Sequence, residues 1–248
     1  MWGRIEGNRV LAGGGESYAL GPFSSRESFP LEEIRLLAPC LPSKIVGVGL
    51  NYVEHASELV MPLPAEPVLF LKPPSALLGP EMKIVYPPGV GRLDPEAELA
   101  VVIGQAAWNI SADEARKVIL GYTCLNDVTA RDLQSRDGQW TRAKSFDTFC
   151  PVGPWIVTDL DPSDLEISLR VNGRLRQLAR TSRMIFKVEE LVSFISRVMT
   201  LRPGDVVATG TPPGVAPVQK GDRIEVEIEK IGILANLVAG DENGERSS

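Results

Sequence analysis

The chain has little of several things that usually announce a function. Its 248 residues hold a single histidine, His55, and three cysteines, Cys40, Cys124 and Cys150. Three is an odd number and none of the spacings is CxxC, so neither a disulfide framework nor a Cys/His zinc site can be built from them. The thiols read as small buried hydrophobes. No run approaches the ~18 apolar residues of a membrane-spanning helix, and the first six residues lack the apolar core of a signal peptide. The expectation is a cytoplasmic protein with no membrane partner. Basic runs are also missing. With 26 Lys+Arg against 32 Asp+Glu the formal charge is −6, which argues against nucleic acid as the main partner.

Turn-forming residues, by contrast, are plentiful. The 23 glycines and 20 prolines favour short strands joined by many turns over long helices. Hydrophobic residues make up 44% of the chain, enough for a core that buries roughly 70% of the unfolded surface.

Residues 1–40 read as a small antiparallel β unit with strands at Trp2–Glu6, Val10–Leu11 and Tyr18–Leu20, followed by a helical turn over Pro30–Leu37 and a Pro-rich linker. A second, catalytic domain is expected over residues 44–243. It opens with the apolar strand Lys44–Gly49 and a short helix over Asn51–Val60. Further strands are expected at Val68–Leu71, Ile84–Tyr86, Glu98–Ile103, Tyr122–Asn126, Trp155–Thr158, Ile167–Val171, Asp205–Ala208, Arg223–Ile228 and Ile231–Leu237. Asn172-Gly173 is a two-residue hairpin signal, since both positions must tolerate positive φ. Ser111–Ile119 carries a capping box through Glu114, and Val188, Leu191, Val192, Ile195 and Met199 share one helix face. Strands and helices do not alternate regularly, so the fold class is strand-rich α+β, not a doubly wound sheet.

Three segments carry chemistry. In Asp94-Pro95-Glu96-Ala97-Glu98, a strand would project Glu96 and Glu98 from one face. Adjacent carboxylates repel unless a cation neutralises them, and a hard divalent ion with oxygen ligands is the natural one; an exposed acidic strand face would show the same spacing. In Gly121–Gln134 an apolar strand ends at Asn126-Asp127, which makes Asp127 a candidate third ligand for Mg²⁺ or Mn²⁺. Arg131, one helical turn on from Asp127 in the helix expected over Val128–Gln134, could grip a substrate carboxylate with its fork or simply pair with Asp132 or another surface acid. In Gly49–Glu58, His55 and Glu58 are i and i+3 on a helix, the spacing of a general-base dyad; an ordinary surface or core histidine would fit the same spacing. Lys144, in the polar segment 144–154, and Thr211, in Thr209–Val215, stand beside strands where they could neutralise or hydrogen-bond an enolate or carboxylate; plain structural turns would look alike. The Gly-Thr-Pro-Pro-Gly turn is no phosphate loop, because it lacks the GxxxxGK[ST] pattern.

Taken in order, GLNYVEHASE, DPEAELAVVIG, NDVTARDLQ, KSFDTFCPVGP, VNGRLRQ and LRPGDVVATGTPPGV resemble the fumarylacetoacetate hydrolase superfamily over about Lys44 to Leu237. The resemblance implies a mixed β-sheet roll with a small N-terminal β unit, and usually a homodimer. It implies that Glu96, Glu98 and Asp127 bind Mg²⁺ or Mn²⁺, that His55 and Glu58 form a base dyad on a lid, and that Arg131, Gln134, Lys144 and Thr211 line the substrate pocket with Lys72 nearby. Such a site suits a small-molecule 2-oxo or 2-hydroxy-dienoic acid reacting through an enolate. Nearest in style are 2-hydroxyhepta-2,4-diene-1,7-dioate isomerases of aromatic catabolism, with possible 5-oxopent-3-ene-1,2,5-tricarboxylate decarboxylase activity. The alternatives are acylpyruvate or fumarylpyruvate hydrolysis, oxaloacetate decarboxylation, and a non-catalytic metal-binding scaffold.

Overall fold

The structure is a computed structural model that describes residues 2–13, 27–58 and 62–240. The strand expected at Tyr18–Leu20, positions 59–60 of the first expected helix and the end of the expected second domain at 241–243 lie outside the described residues. In chain order the elements are β1 (Trp2–Glu6), β2 (Arg9–Gly13), β3 (Ser28–Pro30), β4 (Ile45–Gly49), α1 (Val53–Glu58), β5 (Val68–Lys72), β6 (Leu77–Leu78), β7 (Lys83–Tyr86), β8 (Leu93–Asp94), β9 (Ala97–Ile103) and α2 (Ala112–Val118). They continue with β10 (Ile119–Asn126), β11 (Thr129–Ala130), α3 (Arg131–Asp137), α4 (Thr141–Lys144), β12 (Cys150–Val157), β13 (Glu166–Val171), β14 (Arg174–Arg180), α5 (Val188–Val198), β15 (Val206–Ala208), β16 (Arg223–Ile228) and β17 (Gly232–Gly240).

The fold is strand-rich α+β, built on a mixed seven-stranded sheet in the order β5-β4-β15-β9-β10-β12-β6 and a five-stranded sheet in the order β14-β13-β16-β17-β7. The strands β1, β2 and β3 form their own antiparallel sheet in that order. In the large sheet β9 runs antiparallel to both β10 and β15, whereas β15 is parallel to β4. Every residue of β9 is buried, so its apolar run is continuous, not alternating.

Its odd-numbered side chains, Leu99, Val101 and Ile103, join a core with Ile167, Leu169, Ile224 and Val226 of the five-stranded sheet. Ala100 and Val102, on the other face, pack in a second cluster with Ile45, Leu125, Val152 and Val206. Each fully buried Leu or Ile of this kind contributes roughly 1.5–3 kcal/mol. Glu96 and Glu98 have the parity of the second face, so the core side of β9 is wholly apolar and its carboxylates leave the opposite way.

The turn at Asn172-Gly173 has positive φ at both residues (51° and 74°), the two-residue hairpin geometry expected. Ser111 N–H donates to Glu114 Oε2 at 3.0 Å, closing the expected capping box ahead of α2. Other expectations shift. The helix expected to begin at Val128 begins at Arg131, because Thr129 and Ala130 pair with Asp94 and Leu93. The polar, turn-forming segment expected over 144–154 gives way at Cys150 to β12, which pairs with β6 and β10. β14 and α4 were not expected: the strand has one buried residue in seven, and the helix is a single turn.

Candidate active site

The carboxylates converge because the backbone makes them. Glu98 lies opposite Leu125 and Ala97 opposite Asn126. Just past that paired stretch, Asp127 N–H donates to the Glu96 carbonyl at 2.9 Å, and Glu96 N–H donates to Asn126 Oδ1 at 3.0 Å. One carboxylate oxygen from each of Glu96, Glu98 and Asp127 lies within 4.8 Å of the other two, and all three residues are buried.

Three cations surround them. Lys144 Nζ donates to Glu96 Oε2 at 2.9 Å and to Asp127 Oδ2 at 2.5 Å. Arg131 donates through Nε to Asp94 Oδ2 at 2.9 Å, through one terminal nitrogen to Gln134 Oε1 at 2.6 Å, and through the other to Glu96. Lys72 Nζ donates to Asp127 Oδ1 at 2.5 Å and to the Val128 carbonyl at 3.2 Å.

The partners divide unevenly. Burial alone would raise the Glu96 pKa, but Lys144, Arg131 and His55 outweigh it and hold that carboxyl well below the usual range. Lys144 is pushed above its ordinary value, its own burial being overcome by Asp127 and Glu96. Glu98 goes the other way. Burial, then Asp127 and Glu96, push its carboxyl well above the ordinary range, against a weaker pull from Lys144 and the Gly210 N–H. That amide, 2.8 Å from Glu98 Oε2, is its hydrogen bond among the described residues.

A divalent cation therefore fits the site. Asp94 is paired by Arg92 and Arg131, Glu96 by Arg131 and Lys144, and Asp127 by Lys72 and Lys144, whereas Glu98 has no cation in hydrogen-bond contact among the described residues. The converging donors are all carboxylate oxygens, which suits Mg²⁺ or Mn²⁺ over a thiolate- or imidazole-preferring metal.

His55 and Glu58 stand on α1 beside this cluster. Asn51 anchors the start of that helix: its Nδ2 donates to the Thr209 and Phe186 carbonyls at 2.7 and 3.0 Å, and its Oδ1 accepts from Phe186 N–H at 2.8 Å. His55 Nδ1 lies 3.1 Å from Glu58 Oε2. A neutral imidazole donating from Nδ1 keeps Nε2 free as the basic nitrogen. Glu58 in turn accepts from Gly214 N–H at 3.1 and 3.2 Å.

The loop after β15 closes the ring, and two of its glycines are obligatory. Gly210 has φ +96°, and a Cβ there would sit 2.6 Å from Asn51 Cβ; Gly214 has φ +102°, and a Cβ would sit 2.2 Å from the Arg176 carbonyl oxygen. Both conformations favour a residue without a side chain.

A cavity of about 280 Å³ opens over the carboxylates. His55, Arg131, Gln134, Lys144 and Thr211 line it together with Glu96, Glu98 and Asp127. Glu58 backs His55 from outside. Lys72, expected near the pocket, is not among the residues that line it: it lies behind Asp127 with its side chain wholly buried, and a buried ammonium is tolerated there because it pairs with that carboxylate. Arg131 does not pair with Asp132, and its fork is already engaged by Asp94, Glu96 and Gln134. Asp132 instead accepts from Gly91 N–H at 3.1 Å.

Sequence reasoning missed Asp94, which continues the parity of the two glutamates, and Phe70 and Trp140, whose rings meet edge-on at 5.5 Å in the cavity wall. It also missed Gln177. The thiols stay outside the chemistry, with burial alone pushing Cys40 up to about 12.

The match to known proteins agrees with this geometry. Residues 44–239 match the family model described as fumarylacetoacetate (FAA) hydrolase C-terminal. A mitochondrial oxaloacetate tautomerase of Bos taurus is 46% identical over 222 residues, 84% of this chain and 71% of that protein. A solved structure of 2-hydroxyhepta-2,4-diene-1,7-dioate isomerase from Mycobacterium marinum is 49% identical with a TM-score of 0.88, covering 94% of this chain and 88% of that one. Maleylpyruvate hydrolase from a Sphingobium species, solved with manganese(II) and pyruvate, is 38% identical with a TM-score of 0.77, covering 87% of this chain and 78% of that one. The chain belongs to the fumarylacetoacetate hydrolase family.

Proposed function

We propose that the chain is a Mg²⁺- or Mn²⁺-dependent isomerase that moves a proton between the keto and enol forms of small 2-oxo acids, with 2-hydroxyhepta-2,4-diene-1,7-dioate and oxaloacetate as the first substrates to assay. One observation carries this reading: a buried carboxylate triad opens onto the same cavity as a histidine backed by a carboxylate and a lysine. When bound by Glu96, Glu98 and Asp127, a divalent ion supplies the Lewis acid that makes the carbon next to the keto group acidic.

The chain's own groups do the rest. His55 lines the cavity and takes or returns the proton on carbon through Nε2, while Glu58 at Nδ1 holds the ring orientation. Lys144 keeps its ammonium among the oxygens, where it favours negative charge developing on a substrate oxygen. Thr211 and Gln134 add hydrogen bonds that orient the acid. The names of the Mycobacterium isomerase and the bovine tautomerase support proton transfer as the reaction class.

A second reading, hydrolysis of a carbon–carbon bond in acylpyruvates, is favoured by the His55–Glu58 pair, since the same base could activate water. The homodimer and the division at about residue 40 belong to the proposal as well. The test is an ultraviolet absorbance assay on dienoates, enol-oxaloacetate and acylpyruvates with Mg²⁺, Mn²⁺ or EDTA. Metal-dependent loss of enol absorbance without cleavage products is expected. No change on any of them would refute the enzyme reading, and pyruvate release would favour the hydrolase.

A further inference from the structure

Gln177 is the one buried residue of β14, and three hydrogen bonds engage its amide oxygen and both amide protons. Its Oε1 accepts from Ala97 N–H at 2.9 Å, on the backbone between the two glutamates. Its Nε2 donates to the Pro212 carbonyl at 2.6 Å and to Thr211 Oγ1 at 2.8 Å. The orientation of this amide has no freedom. A backbone N–H can only donate and a proline carbonyl can only accept, so exchanging the oxygen and nitrogen would oppose like groups at both contacts.

The Thr211 oxygen therefore has to accept. Its own proton remains, and among the described residues it has no protein acceptor. Thr211 is 4% exposed and lines the cavity beside Glu96 and Glu98, so that proton is presented to whatever the cavity holds.

We propose that Gln177 is a positioning residue that fixes the Thr211 hydroxyl as a hydrogen-bond donor into the cavity, so that the site requires a ligand with an oxygen acceptor at that place, a carboxylate or enolate oxygen. The ligand class rests on the function proposed above. One side chain thus spans from the carboxylate pair to the hydroxyl and sets the distance between them. The close approach of Gly214 to the Arg176 carbonyl is what lets the loop come down onto Gln177.

Calorimetric titration of oxalate into the Mn²⁺-loaded protein tests this. Thr211→Val, which keeps the shape and removes the donor, weakens oxalate about 10-fold or more, the size expected for a hydrogen bond to a charged group. Thr211→Ser stays within about 3-fold of the parent protein. Gln177→Glu turns the amide into a carboxylate that captures the threonine proton, and it weakens oxalate to a similar degree. Because Gln177 acts through Thr211, the double variant binds no worse than Thr211→Val by more than about 3-fold. A merely structural glutamine would give losses that multiply, and that result overturns the proposal. So does an unchanged oxalate affinity in Thr211→Val. Gln177→Met, with Mn²⁺ binding measured separately, replaces Gln177→Glu if that variant does not fold. A parent protein that binds Mn²⁺ but no oxalate would instead refute the function on which the ligand class rests.

Discussion

Glu98→Gln should stabilise the metal-free protein and weaken its response to metal. The Glu98 carboxyl is held above its ordinary value by burial and by Asp127 and Glu96. The folded chain thus keeps a proton that the unfolded chain has released, and its stability falls as pH rises from about 4.3, the ordinary glutamate value, towards the folded one. One such proton gives a slope of at most about 1.4 kcal/mol per pH unit. At 248 residues each kcal/mol moves the melting temperature by about 2–4 °C, so the slope is about 3–5 °C per pH unit. Glu96, held below its ordinary value, loses stability only as pH falls under the carboxylate range, outside the window from pH 5 to 7. The assay is thermal unfolding in EDTA at pH 5, 6 and 7, parent against variant, so that all other titrations cancel. The parent curve should fall relative to Glu98→Gln by up to that slope. Excess Mn²⁺ at 100 times Kd should raise the parent by roughly 2.7 kcal/mol and the variant by less. Parallel curves in EDTA, together with equal gains in Mn²⁺, would refute the assignment of Glu98 as the uncompensated charge.

Other substitutions read other parts of the structure. His55→Asn should lower proton transfer or hydrolysis by roughly 10² or more while leaving Mn²⁺ affinity nearly unchanged by calorimetry; a normal rate would remove the histidine from the mechanism. Asp205 accepts from Ser43, Lys44 and Arg202, including Lys44 Nζ at 2.5 Å and Arg202 N–H at 2.8 Å. Removing that buried partner in Asp205→Ala should cost about 3–5 kcal/mol, read as a fall of 6 °C or more in melting temperature. Burial opposes the Asp205 charge, but Lys44 and Ser43 hold its pKa down, so its contribution is present at neutral pH and is lost as pH drops below the ordinary aspartate range. Gly214→Ala should cost at least ~1 kcal/mol of stability and raise KM for the oxo acid, because the loop must lift from β14; an unchanged KM would show that the loop tolerates the shift.

Much of the site was legible because its spacing is local. Glu96 and Glu98 share a strand face, Asp127 ends the neighbouring strand, and His55 and Glu58 share a helix face. Period-two and period-3.6 arithmetic places each pair without knowledge of the fold. Lys72 escaped that arithmetic, since whether it meets the cavity or the back of Asp127 depends on how β5 docks. Gln177 escaped for another reason: in Arg-Leu-Arg-Gln-Leu-Ala-Arg the single buried residue is polar, so β14 has no apolar alternation to announce it. β8 and β11, two residues each, carry no periodicity at all, yet their pairing is what delays α3 and sets where Arg131 points.

The Asp127 N–H bond to the Glu96 carbonyl has a consequence for how this architecture can diversify. The carboxylates hang from the middle of a buried sheet, locked by main-chain register, whereas Gln134, Ser135 and Trp140, which face the remainder of the cavity, sit on or between the short helices α3 and α4 outside it. Substitutions on those turns can reshape the far wall without moving the anionic head. A chain built this way can keep one charge anchor and exchange the room around it, and an isomerase, a tautomerase and a hydrolase do stand side by side among its relatives.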